Sequence, residues 1–236
     1  NQWTEEISLD IDITKPTIEI SYNNNSDNGG NGYFANTRTA TIAITERTNH
    51  FNNEDAKAGI SIVATDAKGN RVNIDKNAII SDFVTTEGDT PDKAVHKATI
   101  AYTTDANYTF GIEYTDRAGN KNEVVDTKDS VEPFTFTVDT VKPTGSVMAV
   151  SKEGREKIWD KLAGSLTFGF YSGKSIAITG TSDDVTSGVA SVKYYKSDRT
   201  TALTEEQLNK ITDWKTFDGL NISSDDKFCI YVRITD

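Results

Sequence analysis

Two histidines, one cysteine and an excess of carboxylates are the groups in this 236-residue chain with chemistry to offer. His50 sits in the polar stretch Thr48-Asn49-His50-Phe51-Asn52-Asn53, and His96 opens a strand-like run. Neither stands at the spacing of a nucleophile or metal motif, so both read as surface or strand-end histidines. Cys229 is alone, which rules out an intrachain disulfide and any Cys–His pairing argued from spacing. Gly169-Phe170-Tyr171-Ser172-Gly173-Lys174-Ser175 misses a phosphate loop by one residue, since the motif needs a glycine where Phe168 stands. With 36 Asp and Glu, any pair spacing arises by chance, and a glycosidase pair needs a cleft that a small β-module rarely supplies. The sequence predicts no catalytic residue and no enzyme.

Oxygen ligands are better placed. Asp12 and Asp139 stand just before two proline-marked junctions, and Asp116 and Asp236 open turns after strand-like runs. Carboxylates from facing loops suit Ca²⁺. The same residues also suit Asx turns, in which the carboxylate accepts from its own backbone. Asp12, Asp116 and Asp139 are therefore the candidate Ca²⁺ ligands, and no other cofactor is expected.

Composition narrows the partners. The formal charge of −11 argues against nucleic acid, which requires a basic face. No run approaches the roughly 18–20 apolar residues of a membrane helix, so no membrane insertion is expected. The charge is uneven: residues 17–139 hold 19 acids against 11 bases, residues 144–236 hold 13 against 12. The near-neutral second half also carries large aromatics, and aromatics anchor both cores and interfaces. Trp159 and Trp214 fit a role in fixing helices to a sheet. Tyr195, out of phase with Val192 and Tyr194, is expected to be exposed; these three are the candidate partner-binding residues.

The elements that must position these groups follow from one repeat. Ile11-Asp12-Ile13-Thr14-Lys15-Pro16-Thr17 and Val138-Asp139-Thr140-Val141-Lys142-Pro143-Thr144 match at an offset of 127 residues. Upstream of each, apolar residues alternate (Ile7, Leu9, Ile11; Phe134, Phe136, Val138), the period of a strand with one buried face. Proline then ends the strand, lacking an N–H for the ladder. The expected organisation is a closing strand of a preceding module over residues 1–14, a first module over 15–141, and a second over 142–236 that lacks its last strand.

Within the first module, strands are expected at Thr17–Tyr22, Thr37–Thr45, Gly59–Ala64, Lys97–Thr103, Tyr108–Thr115 and Phe134–Val138. Asp66-Ala67-Lys68-Gly69-Asn70 and Asp116-Arg117-Ala118-Gly119-Asn120 are turns in which Gly and Asn accept positive φ. The second module is expected to have strands at Ser175–Gly180, Val189–Tyr195 and Lys227–Thr235. Two short helices are added: Glu153–Ala163, with Ile158, Trp159 and Leu162 on one face, and one opened by the capping box Thr204-Glu205-Glu206-Gln207. The predicted fold class is all-β, tandem immunoglobulin-like β-sandwiches, the second carrying two short helices. Tyr108, two residues before Phe110, is placed like the tyrosine of a tyrosine corner.

The runs Thr41-Ile42-Ala43-Ile44-Thr45-Glu46-Arg47, Asp105-Ala106-Asn107-Tyr108-Thr109-Phe110 and Tyr114-Thr115-Asp116-Arg117-Ala118-Gly119-Asn120 resemble a bacterial Ig-like repeat. Such repeats belong to large cell-wall-anchored surface proteins of gut Clostridia and their Gram-positive relatives. Ser187-Gly188-Val189, Val192-Lys193-Tyr194-Tyr195, Asp213-Trp214 and Ile230-Tyr231-Val232-Arg233-Ile234-Thr235-Asp236 resemble another module of the same proteins. The resemblance implies an extracellular location, cell-wall attached or secreted, and neighbouring Ig-like modules in the same chain. It also implies adhesin-type binding of a host extracellular protein, a spacer role, or both. Immunoglobulin is one such partner, as for a B-cell superantigen, and accessory modules of a secreted glycosidase are a further alternative.

Overall fold

The computed structural model describes residues 3–7, 9–25, 32–86, 88, 90, 93–123, 125–128, 130, 132–151, 156–157, 166–167, 176–199, 201–222 and 228–236. The chain divides into two compact units, Asn1–Val141 and Lys142–Asp236.

The first unit runs β1 (Thr17–Tyr22), β2 (Tyr33–Phe34), β3 (Arg38–Thr45), α1 (Asn53–Ala58), β4 (Ile60–Thr65), α2 (Lys76–Ile79), β5 (Val84–Thr86), β6 (Val95–Tyr102), β7 (Ala106–Ile112), β8 (Val125–Thr127) and β9 (Thr135–Val138). One sheet has the order β5-β6-β3-β1-β8, the other β2-β9-β7-β4. Alternation sets which face is buried. Ala40, Ile42 and Ile44 of β3 are fully buried, as are Ala98, Ile100 and Tyr102 of β6, while the residues between them are more exposed. Ile20 and Ile42 from one sheet and Ile60, Tyr108 and Phe136 from the other belong to one core cluster, so each sheet turns a face to the same interior. Burying each such side chain contributes about 1.5–3 kcal/mol. The Tyr108 hydroxyl donates to the Thr104 carbonyl four residues upstream at 2.7 Å, the hydrogen bond expected of a tyrosine at that position.

Two helices in this unit have no counterpart in the sequence-based expectation. Asn52 caps α1, its Oδ1 accepting from Glu54 N–H, and Asp75 caps α2 by accepting from Asn77 N–H. Each has too few residues to show a helical apolar period. Ahead of β1, residues 9–16 form no strand, and Ile7, Leu9, Ile11 and Ile13 are each more than 75% exposed. Their alternation fits a strand, but a strand needs a sheet to pair with and a core to face.

The second unit runs β10 (Thr144–Ser151), β11 (Glu156–Lys157), β12 (Leu166–Thr167), β13 (Ile176–Asp183), β14 (Ser191–Ser197), α3 (Glu205–Asn209), β15 (Lys215–Thr216), β16 (Leu220–Ile222) and β17 (Cys229–Thr235). Its sheets have the orders β11-β10-β13-β16 and β12-β17-β14-β15. Gly145 of β10 sits where the sheets meet: a Cβ there would stand 2.1 Å from Ile234 Cδ1 of β17. The capping box is formed as expected, Thr204 Oγ1 accepting from Gln207 N–H and Gln207 Oε1 from Thr204 N–H. The expectation of two helices in this unit is corrected. Most of Glu153–Ala163 lies outside the described residues, and the two positions that are described, Glu156 and Lys157, pair antiparallel with Val150 and Ala149. Ladder pairing overrides a local helical period. α3 is the helix of this unit among the described residues.

Candidate functional site

A group of titratable side chains lies at one end of the first unit, and β3 delivers its first member. Glu46 follows the last residue of that strand. Its N–H donates to the Ala94 carbonyl at 3.0 Å, and its own carbonyl accepts from His96 Nε2 at 3.1 Å. A carbonyl only accepts, so His96 carries its proton on Nε2, and Nδ1 accepts from the Thr85 hydroxyl at 2.8 Å. His96 stands second in β6, at the mouth of a strand as expected, but it is fully buried and stacked on Phe51 with 3.7 Å between ring centroids rather than on the surface.

The chain then turns back on itself. The N–H groups of His50 and Phe51 both donate to the Arg47 carbonyl, and the His50 carbonyl accepts from Arg117 N–H at 3.1 Å. Asn52 N–H donates to the Tyr114 hydroxyl at 2.9 Å. His50 is thereby held against the turn that begins at Asp116.

His50 is buried, not a surface loop residue, and both ring nitrogens meet carboxylates. Nδ1 contacts Asp12 Oδ2 and Nε2 lies 2.9 Å from Asp10 Oδ2. With an acceptor at each nitrogen, both must donate, so the ring is an imidazolium. The Asp10 and Asp12 carboxylates hold its pKa above the ordinary histidine value. His50 in turn holds Asp10 below the usual carboxylate range. Burial pushes Asp12 up, but hydrogen bonds from Thr14 N–H and His50 outweigh it and leave the group lowered. Neither ring nitrogen retains a lone pair to take a proton, so the arrangement is a charge clamp.

Glu46 completes the cluster from below. It is 3% exposed; Oε1 accepts from Arg47 N–H at 2.6 Å and Oε2 has no hydrogen-bond partner. Burial pushes its pKa up, and the negative charges of Asp116 and Asp12 add to the shift despite the Arg47 N–H. Carboxylate oxygens of Asp12 and Glu46 and a ring nitrogen of His50 all lie within 4.8 Å of one another. Asp116 opens its turn as expected: Oδ1 accepts from Asn120 N–H at 2.8 Å, Oδ2 from Asn120 Nδ2 at 2.9 Å, and Gly119 takes φ +92°. Asn120 Nδ2 also reaches the Asp12 carbonyl at 3.2 Å.

Of the three sequence-predicted Ca²⁺ candidates, Asp12 and Asp116 therefore come to one end and Asp139 does not. Asp139 follows Val138, which pairs with Ala106 at the start of β7, whereas Asp116 lies beyond that strand's end. Its carboxylate accepts from Val141 N–H at 3.2 Å, an Asx-type bond. Sequence reading missed Asp10, Glu46 and His50. An acid directly after a long alternating strand was the available signal for Glu46.

In the second unit the predicted partner-binding residues pack on one another. Tyr195 lies with its ring 6.1 Å from Trp214 and 6.4 Å from Tyr231, half-buried rather than exposed as expected. The Arg233 guanidinium stacks 4.1 Å from the Trp214 ring and donates to the Leu208 carbonyl of α3 at 2.9 Å. Tyr195 is half-buried because its ring faces this assembly, which fastens α3 to the β14–β17 pair. Trp159 lies outside the described residues.

Among the described residues no helix is long and apolar enough to cross a membrane. No protein-family model matches the chain, and a search of curated proteins returns no match.

Proposed function

We propose that the chain is a non-enzymatic pair of immunoglobulin-like modules from an extracellular, cell-wall-attached or secreted protein, binding a host extracellular protein while spacing further modules. The observation that supports this reading is where the chain divides. The boundary between the compact units, Val141 and Lys142, falls inside the second copy of the repeated apolar-Asp-x-x-Lys-Pro-Thr motif. A motif that recurs where one unit ends and the next begins is what a serial array of modules requires. The Tyr108–Thr104 hydrogen bond favours the immunoglobulin-like class within all-β folds. The His50 clamp, with both nitrogens spent on carboxylates, favours a structural over a catalytic role for the most charged cluster.

The test is a pull-down with the immobilised 236-residue chain from serum and from mucus, with retained proteins identified by mass spectrometry. A retained host protein supports binding, and immunoglobulin among the retained proteins supports the superantigen-like reading. An empty eluate removes the binding half of the proposal and leaves the spacer.

A further inference from the structure

We propose that the end of the first unit where the carboxylates of Asp12 and Glu46 converge binds a hard divalent cation of the Ca²⁺ kind through carboxylate oxygens. Asp12 alone would be an acid in ordinary turn geometry, its Oδ1 accepting from Thr14 N–H. Glu46 makes the difference. It is 97% buried by its 3% exposure, its Oε2 has no partner, and its carboxylate lies within 4.8 Å of Asp12's. Native folds rarely leave a buried charged oxygen unmatched, because it has lost its water and gained nothing in return. A cation between these groups supplies the missing partner.

Charge points the same way. Asp116 and Asp12 both act on Glu46, while His50 and Arg47 act on Asp10 and Asp12. Four carboxyl groups thus stand with two cationic groups, a balance that favours a further cation. Donor chemistry then selects the ion. Both His50 nitrogens are committed to Asp10 and Asp12, so the donors on offer are oxygens. Carboxylate and carbonyl oxygen sets suit Ca²⁺, whereas Zn²⁺ in a site of this composition would require an imidazole lone pair.

The sequence repeat places acids at the corresponding positions of its second copy. Asp139 occupies the place of Asp12 in the second Lys-Pro-Thr motif. Asp184 directly follows β13, which pairs antiparallel with β10, as Glu46 directly follows β3, which pairs with β1. Asp236 ends Ile234-Thr235-Asp236 as Asp116 ends Tyr114-Thr115-Asp116.

The test is calorimetric titration of CaCl₂ into the full chain after EDTA treatment and dialysis, in parallel with the E46Q, E46D, D116N, H50Q and D66N variants. Asp66 opens a turn of the same Asp-x-x-Gly-Asn form, half-buried and outside the cluster, and is the control. The expected result is saturable Ca²⁺ binding whose stoichiometry falls by one site in E46Q. E46D weakens that site at least tenfold, D116N, which removes a neighbouring charge, weakens it less, and D66N retains it. E46Q must melt in EDTA at or above the wild-type temperature, which separates a lost site from a lost fold. The proposal is overturned if Ca²⁺ gives neither heat nor a melting shift, or if E46Q titrates like the wild type. It is also overturned if the site takes Zn²⁺ but not Ca²⁺ and loses it in H50Q, since the ligand set is then nitrogen-based.

Discussion

The two ends of β3 carry buried charges of opposite sign, and the chain treats them differently. Arg38, its first residue, is fully buried yet provided for. Nε donates to the Asn24 carbonyl at 2.9 Å, Nη1 to the Glu132 carbonyl at 3.0 Å and Nη2 to Asn25 Oδ1 at 3.0 Å. Its guanidinium carbon lies 3.8 Å from the Tyr22 ring centroid and 3.9 Å from that of Phe34. The planar fork thus meets acceptors at its edge and π-faces above and below. Glu46, just past the other end, has one oxygen held and one not. The same strand and core show that this fold can provide for a buried charge with backbone carbonyls, a side-chain amide and aromatic faces. The orphaned oxygen at the Glu46 end is therefore a feature of that end, and on the proposal above it is the place kept for an ion.

Breaking the satisfied end should have the largest effect. R38A leaves three acceptors and a ring-lined space unfilled, and should cost about 3–5 kcal/mol, the range for removing one partner from a buried charged network. Urea unfolding followed by tyrosine fluorescence of the first unit would measure it. R38K should recover less than half of the loss, because an ammonium cannot reproduce the planar fork. A loss below ~1 kcal/mol for R38A would mean that the contacts at this end are not energetically coupled.

The opposite sign is expected at the other end. In EDTA, E46Q replaces an orphaned charged oxygen with a neutral amide and should stabilise the first unit by about 1 kcal/mol. With excess Ca²⁺ the order should reverse, the wild type gaining RT ln(1 + [L]/Kd) that the variant does not. Scanning calorimetry of both proteins in both conditions gives the four values. Destabilisation by E46Q in EDTA would show that the second oxygen has a partner in solution and would remove the contrast between the two ends.

Between these lies the tyrosine of the corner. Y108F deletes the hydroxyl that donates to the Thr104 carbonyl and should cost about 1 kcal/mol. It tests the Arg38 end independently of charge, since Tyr108 and Arg38 both pack against Phe136. The measurement is the urea midpoint of Y108F against wild type at constant slope.

What was legible in the sequence and what was not divides along sequence separation. β1 was legible to the residue, and the buried set Ala40, Ile42, Ile44 followed from alternation, because side-chain direction in a strand is fixed by neighbours one residue away. The Asp116 turn was legible because Asp116, Gly119 and Asn120 make their bonds with each other. The cluster was not. His50 meets Asp10 and Asp12 across 40 and 38 residues, and nothing in the local pattern of Thr48–Asn53 announces it. Glu46 was quoted as part of a strand motif, but its burial depends on Asp12, His50 and Asp116 arriving from three other segments. Tyr195 failed for a related reason: strand phase predicted its face, while Trp214 and Tyr231 decided that its face is covered.

The smallest expected effect is a pH dependence confined to the Glu46 end. Arginine does not titrate in the accessible range, so the Arg38 end should contribute nothing. His50 has its folded pKa raised by Asp10 and Asp12, with Arg47, Asn49 and Glu46 also facing the group. A raised histidine contributes stability fully present below its unfolded value of about 6.5 and lost as pH rises through the folded value. Glu46, also raised, binds its proton more tightly in the fold, so its contribution likewise falls as pH rises above the unfolded carboxylate value. Asp10 and Asp12 are lowered and act oppositely, but their loss comes only in acid, as pH falls through their folded values. In EDTA the melting temperature of the first unit should therefore be higher at pH 6 than at pH 8. H50Q should flatten that slope, R38K should leave it unchanged, and an H50Q slope equal to the wild type would place the titrating group elsewhere.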